Sequence, residues 1–525
     1  MILIALILFI RSPWGQGIIV DKATSYVKEK TGTELRIGKL FITFSGNIFL
    51  EELYLEDLSQ DTLLYSRKLE AGVAIAPLLS TGNINVTKLD WEGLTARVSR
   101  PEVTGKFNFD FLIEAFASDT TQAATPVDTT AADPISISIA PASLRDFDVV
   151  YQDEVMGIDA KILLGELDVD ISEIDLEEFF FEINQVALKN TQVTYHQTKP
   201  FPPAEKEETE TPMPRLLLEE LILSDVQADY VSEPDRLDAK VNIGWFLVEL
   251  PEANLVEQII RLDKAELKNS TLSYHDFSQS STATETDDDA IPSSDSTFVW
   301  PEWVVSADKI YIDSTELEYK TSDVPVTKGA FNAEAISISG LKLDLEEVSL
   351  QDQQVAANLK EFHFSEGSGF ELGKFQFELE LDEESAQITD LVLQTNRSNL
   401  AASTTLSYAS IDDLINFPEK TKVELEVEDT KLDVRDAYFF SPALAQDTLI
   451  REIAKAPVFL KAELDGDLEH INLDNLIASW SKTRLIANGA IEQPMDMDRL
   501  RIDLPSIRMI STRSDLIRFV DEQAL

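Results

Sequence analysis

The chain has 525 residues, with 44 Lys and Arg against 95 Asp and Glu, giving a formal net charge of −51. That balance excludes a general nucleic-acid binder, because neutralising phosphates needs clustered basic residues. It also argues against docking the whole surface onto anionic lipid. Apolar residues make up 44% and charged residues 26%, the composition of a folded protein. Cysteine is absent, so disulfides, thiolate metal sites and cysteine nucleophiles are excluded.

Met1 to Ile10 is an unbroken apolar run ended by Arg11. A membrane-spanning helix needs about 20 residues, and the run lacks the basic flank and small-residue cleavage site of a signal peptide. Residues 1–16 are therefore expected to be a partial transmembrane anchor, the second half of a membrane helix. Asp21–Thr31 is predicted as a short helix with Asp21 as N-cap and Gly32 as stop. From Leu35 the apolar residues alternate, as in LRIGKLFI, NINVTKLDW and KFNFDFLI, which predicts strands joined by tight turns.

A repeat organises the middle of the chain. The octet Leu/Ile-x-(Asp/Asn/Ser)-x-x-apolar-x-Tyr occurs at Leu144–Tyr151, Leu188–Tyr195, Leu223–Tyr230, Leu267–Tyr274 and Ile312–Tyr319. Residues 144–197 align on 223–276 without a gap, placing Gly165 on Gly244 and Tyr195-His196 on Tyr274-His275. This is an internal duplication of a multi-strand unit. The first apolar residue of the octet and its later apolar-x-Tyr pair have opposite parity. A bulge or turn at Lys189–Gln192 and Lys268–Thr271 is expected to return both to one apolar face. Assigned to that face are Val186, Leu188, Val193 and Tyr195, their counterparts Ala265, Leu267, Leu272 and Tyr274, and Leu317 and Tyr319 of the fifth copy.

Polar tracts at 118–134, 198–214 and 278–297 start 80 residues apart and are expected to be disordered surface loops. They separate a first β unit (17–117), two repeats (135–197 and 215–277) and a continuation (298–525). Helical signals are few. Ser441-Pro442 opens a helical insertion near 441–456 that Pro457 closes, and Asp515–Gln523 is a second short candidate.

No catalytic chemistry emerges. His196 and His275 are equivalent in the duplication but lack the convergent ligands of a metal site. Asp287–Asp289 lacks the ligand spacing of a calcium loop, and no phosphate-cradling or nucleophile motif is present. No enzyme, metal or cofactor is expected. What abounds is apolar faces on repeated strands, and such a face must be packed, paired or occupied by something oily. The economical solution is an elongated, strongly curved sheet enclosing its own apolar groove.

Several segments carry a resemblance. Arg11, Pro13 and Gln16 in the opening, LYLED and DTLLY within Leu53–Tyr65, and KFNFDFLI (Lys106–Ile113) resemble the N-terminal region of the TamB family in its Bacteroidota-type form. So do Asn254–Asp276, LQTNRSNLAASTTLSY (Leu393–Tyr408) and Leu460–Leu476. The resemblance implies a mainly β fold, an elongated, curved antiparallel β-taco or repeating β-groove solenoid of the AsmA-like kind. It implies a single-pass helix in the inner membrane with the bulk of the chain in the periplasm. The expected partners are phospholipid acyl chains, the inner membrane, and an outer-membrane TamA-like protein. That last contact is expected to involve a C-terminal region that this sequence, ending in mid-pattern at Leu525, does not include. The expected function is a bridge carrying phospholipids along the groove toward the outer membrane, with the ten face residues above as its lining. The alternative is an assembly factor for outer-membrane proteins acting with the TamA-like partner.

Overall fold

The computed structural model describes residues 12–42, 47–73, 86–120, 141–175, 179–202, 215–278, 298–321, 323–494 and 499–518. The apolar run Met1–Ile10, most of the three polar tracts, Asp287–Asp289 and the last residues of the Asp515–Gln523 candidate lie outside the described residues. The protein is mainly β, with few helices, and divides into two units, Met1–Val256 and Glu257–Leu525.

The first unit opens with helix α1 (Pro13–Thr31), which ends at Gly32 in the left-handed region, φ 75°. The helix starts eight residues before the expected Asp21. Ser12 accepts a hydrogen bond from Gly15 N at 3.0 Å, and Pro13 supplies a preset φ at the first helical position. Nine strands follow: β1 (Leu35–Ile42), β2 (Ile48–Glu56), β3 (Thr62–Val73), β4 (Val86–Arg100), β5 (Ala142–Asp153), β6 (Ile158–Asp175), β7 (Phe180–Gln197), β8 (Arg215–Ser232) and β9 (Leu237–Asn254). Between β4 and β5 lies helix α2 (Asp110–Thr120), which takes in Ser118–Thr120 of the first polar tract. KFNFDFLI is thus not a strand. The Asn108 amide accepts from Ser99 N and donates to Arg97 O, closing β4's ladder. Asp110 accepts from Phe107 N at 2.8 Å, turning the chain into α2.

The second unit contains β10 (Ile259–Lys268), β11 (Thr271–Asp276), β12 (Val304–Lys320), β13 (Ala335–Gln351), β14 (Gln354–Glu366), β15 (Glu371–Leu381), β16 (Ser385–Thr395) and β17 (Asn399–Ser407). After helix α3 (Ile411–Asn416) come β18 (Lys422–Leu432), helix α4 (Thr448–Ile453), β19 (Val458–Gly466), β20 (His470–Trp480), β21 (Thr483–Glu492), β22 (Arg501–Ile510) and helix α5 (Arg513–Leu516). The insertion expected near 441–456 is not one helix. A 3₁₀ turn, Pro442–Gln446, stops at Asp447, which is extended and accepts from Ile450 N to start α4 afresh. Such a side-chain cap competes with helix continuation.

The expectation of an antiparallel sheet is corrected. Strands β4 and β5 pair in parallel, as do β7 and β8, and both β10 and β11 lie parallel to β12. The other pairs within each unit are antiparallel, so the sheet architecture is mixed. Each parallel pair is joined through one of the three polar tracts. A parallel neighbour obliges the chain to return to the end it started from, and the tracts lie in those returns.

The octet's third residue carries the bulge, a reversal of side at which the pairing keeps its register, as from Glu166–Lys189 to Leu163–Gln192, with a register shift only beside Ser314. Asp146, Asn190, Asp225, Asn269 and Ser314 have φ of 57°, 49°, 53°, 50° and 50°, and Asn and Asp are the L-residues that visit this region most readily. Beside Asn190, strand β6 has Gly165, where an added Cβ would lie 2.6 Å from Asn190 O. Only glycine permits that approach.

The polar side of the first unit is ordered by charge. One cross-strand row runs Lys39–Glu51–Lys68–Glu92–Arg145–Glu166–Lys189 from β1 to β7, alternating in sign at every step. Lys39 lies 2.6 Å from Glu51 and Lys189 lies 3.2 Å from Glu166. Facing opposite charges are each worth about 0.2–1 kcal/mol, toward the low end for exposed pairs. Neighbouring rows add Arg97–Asp148 at 2.7 Å and Lys88–Glu70 at 2.9 Å.

Two outcomes follow from this architecture. Gly165→Ala should cost about 1–3 kcal/mol and lower the thermal midpoint, whereas Gly17→Ala, within α1 and with nothing within 4 Å, should not. Calorimetry of both variants checks this. The second concerns acid. Hydrogen bonds from Arg97, Lys88, Lys309 and Lys342 hold Asp148, Glu70, Glu346 and Glu361 below the usual carboxylate range. Carboxylates depressed in the fold stabilise it above their unfolded pKa of about 4. That contribution is lost as pH falls through the lower folded values, so melts recorded from pH 7 to 3 should hold their midpoint to about pH 5 and then decline.

Candidate functional site

Directly paired residues on neighbouring strands project to the same side of a sheet. In the first unit one row reads Leu40–Leu50–Leu69–Trp91–Leu144–Leu167–Leu188–Leu223–Phe246, apolar on all nine strands. The next row, from Ile42 to Val248, contains Val186 and is apolar throughout. Beyond the bulge a third runs from Leu35 to Val241 through Val193, again with nine apolar residues. The indole of Trp91 meets Phe147 edge-on at 5.5 Å, across the bulge, so both sets of rows share one face. Tyr195 lies in a row with Tyr151, Ala160, Tyr230 and Ala239, stacked on Tyr230 at 5.1 Å.

The second unit repeats the arrangement. Ala265 faces Ile310 and Leu267 faces Ile312; beyond Asn269, Leu272 faces Leu317 and Tyr274 stacks on Tyr319 at 5.9 Å. From Leu267 a row continues through Ile312, Leu343, Phe362, Phe375 and Leu393 to Leu400. A longer one starts at Ile260 and Val305 and ends at Ile491 and Ile502, crossing twelve strands with Gly466 as its one residue lacking a side chain.

These faces are not sealed. Of the ten residues picked from sequence, eight are half-buried, while Tyr274 and Tyr319 are 42% and 40% exposed. Among the described residues, every apolar side chain less than 5% exposed is an alanine. The largest fully buried side chains are polar, led by Gln197, Thr33 and Thr315. They fix turns and bulges: Asp153, for instance, accepts from Val155 N and Met156 N at the β5–β6 turn. A closed core would instead bury Leu, Ile and Phe fully.

No group of three His, Cys, Asp or Glu among the described residues could hold a metal. His196 lies 3.0 Å from Glu233 and His275 lies 3.6 Å from Glu318, each on the polar side of its strand. Among the described residues no helix is long and apolar enough to cross a membrane.

The sequence reading made 17–117 the first β unit but assigned no residue of β1–β4 to the face and found no octet there. Trp91–Val98 is a sixth octet in disguise, with Gly93 at φ 71° in the bulge position and Val98 where the others have Tyr. A search for residues that tolerate positive φ, glycine included, finds it; a search for Asp, Asn or Ser does not. No family model matches the chain, and no curated protein sequence matches it.

Proposed function

We propose that this protein carries phospholipids, with acyl chains lying along the apolar faces and headgroups kept in water at the strand ends. Each face is curved into a groove in this reading, the β-taco of the family it resembles. The chain is anchored in the inner membrane, its bulk lies in the periplasm, and lipid passes toward the outer membrane and a TamA-like partner. One observation carries the proposal: apolar rows run over nine strands and over twelve, the longer one interrupted only by Gly466, and most of their large side chains are half-buried rather than sealed. Nine strands at about 4.8 Å make a row of about 40 Å. That exceeds the ~15 Å each leaflet's chains occupy in a bilayer core, so chains can follow one another. Each methylene moved from water onto such a surface gains up to ~0.8 kcal/mol, and sliding along it breaks no bond.

A second reading, an assembly factor for outer-membrane proteins, draws on β22. Its Ile502, Ile507 and Met509 are exposed, and among the described residues it pairs only with β21. Such an edge can receive an added strand. Pro505, which lacks an N–H, limits the ladder that could form there.

Native mass spectrometry of the purified chain should detect bound phospholipid, and transfer between vesicles should depend on the face. Leu272→Asp places a charge beside hydrocarbon, which is strongly unfavourable, and should abolish transfer while leaving the fold. Ser273→Asp points to the polar side opposite Glu318, costs no more than about 1 kcal/mol, and should transfer normally. A folded Leu272→Asp variant that transfers at the wild-type rate refutes the proposal. Unfolding of Leu272→Asp would identify the face as a closed core.

A further inference from the structure

The residues just before β12 do not stay beside their own strand. Phe298 N donates to Asp412 Oδ1 at 2.8 Å, in the first turn of α3. Trp300 Nε1 donates to Glu383 Oε2 at 2.5 Å in the β15–β16 turn, and its ring meets Phe298 edge-on at 5.5 Å. Trp300 also packs against the cluster of Ala386, Tyr408 and Ile411, together with Leu381 and Leu406. Leu381, Ala386 and Leu406 are successive members of the twelve-strand apolar row, and Val305 at the start of β12 belongs to the same row. Three strands, β13 to β15, stand between Val305 and Ala386. Residues 298–303 therefore cross the apolar side as a strap, with one indole seated on the row.

The seat is closely packed, as is the cluster of Ala402, Val427 and Ala462 on the same unit. Ala386, Tyr408 and Ile411 are 6%, 8% and 5% exposed, where most apolar residues of the rows are half-buried. The covering group is a neutral, mostly apolar ring, and the groups holding it in place, Glu383 and Asp412, are acidic, as is neighbouring Asp382. An uncharged hydrocarbon chain fits this surrounding, and a carboxylate does not.

We infer that Trp300 fills a hydrocarbon site on the second unit, and that an acyl chain takes this site by displacing the strap. The inference rests on the lipid-carrying function proposed above and adds a gate to it. The strap has two hydrogen bonds and one ring to lose, and a chain laid along Leu381, Ala386 and Leu406 replaces the ring's contacts with its own. A short apolar ligand replaces fewer of them, so the gate favours long chains.

Because the protein has no cysteine, Phe298→Cys with Asp412→Cys introduces a single possible disulfide, between residues joined by the 2.8 Å hydrogen bond, and loss of both free thiols on oxidation, read by thiol titration, certifies the lock before uptake is compared. The probe is phosphatidylcholine with a fluorescent acyl chain, offered in vesicles to the purified chain. The oxidised double variant should take up lipid at least fivefold more slowly than wild type, and dithiothreitol should restore the rate. Trp300→Ala should take it up about fivefold faster. Equal uptake by oxidised and reduced forms overturns the gate while leaving lipid carriage intact. Failure of the wild type itself to take up lipid overturns both, and is distinguishable because no variant is involved. The locked variant keeps Trp300, so the test stands even if Trp300→Ala does not fold.

Discussion

The structure depends on a parity constraint. Side chains alternate faces along a strand, so a strand apolar on one side can stay so across a five-residue step only if its backbone slips by one. Asp146, Asn190, Asp225, Asn269 and Ser314 make that slip by entering the left-handed region. An L-residue there costs about 1–2 kcal/mol. Were one strand to slip alone, its neighbours' apolar residues would face its polar ones beyond that point. The slips are therefore aligned: Lys189 pairs Ser224 before the bulge and Thr191 pairs Val226 after it. On the antiparallel side, Gly165 makes room for Asn190. Rows of nine apolar residues are the consequence, and they outweigh the local strain.

Alignment of the bulges also accounts for the parallel pairs. Within each unit the strands carrying the octet run in one direction. Where two octets follow each other across a polar tract, as on β7 and β8, they lie side by side with equivalent residues paired, Leu188 with Leu223 and Tyr195 with Tyr230. Parallel pairing of two copies of one motif matches like with like, which is why Tyr195 and Tyr230 stack with their planes 2° apart. Where a strand intervenes, as β6 does, it runs the other way and supplies Gly165, Ile162 and Ala160 in reverse order against the same rows.

Much of this was legible in the amino-acid sequence because it obeys local rules. Period-two alternation announced the strands, and the opposite parity within the octet demanded a bulge or turn within Lys189–Gln192 and Lys268–Thr271, where Asn190 and Asn269 take positive φ. Strand direction was also available. Only 35 residues separate the octets at Leu188 and Leu223, and a polar tract uses half of them, leaving no room for an intervening strand. Other features depended on particular side chains. Asn108 and Asp110 turned an alternating segment into a cap and a helix, and Ser12-Pro13 moved a helix start, effects that periodicity does not register. The Trp300 strap could not be read at all. Its partners Glu383, Ala386 and Tyr408 lie 83 to 108 residues away in sequence, and nothing local singles out that indole.

The two sides of the sheet divide the energetics unequally. On the polar side of β1–β7 alternating charges reinforce one another, but further along the chain they do not: Glu424 faces Asp465, and Glu426 faces Glu463. Like charges directly opposed are destabilising, so pairing of β18 with β19 must be held by the other side, where Leu425 faces Leu464 and Val427 faces Ala462 in one apolar cluster. Retaining such repulsion makes physical sense if the acid serves the surface rather than the strand pair. A protein with open apolar faces risks burying them against another copy of itself. A net charge of −51 opposes that association at long range, and a hydrocarbon chain, carrying no charge, is not repelled by it. The same surplus of acid that excludes nucleic acid thus leaves the apolar faces available to oily ligands and guarded against one another.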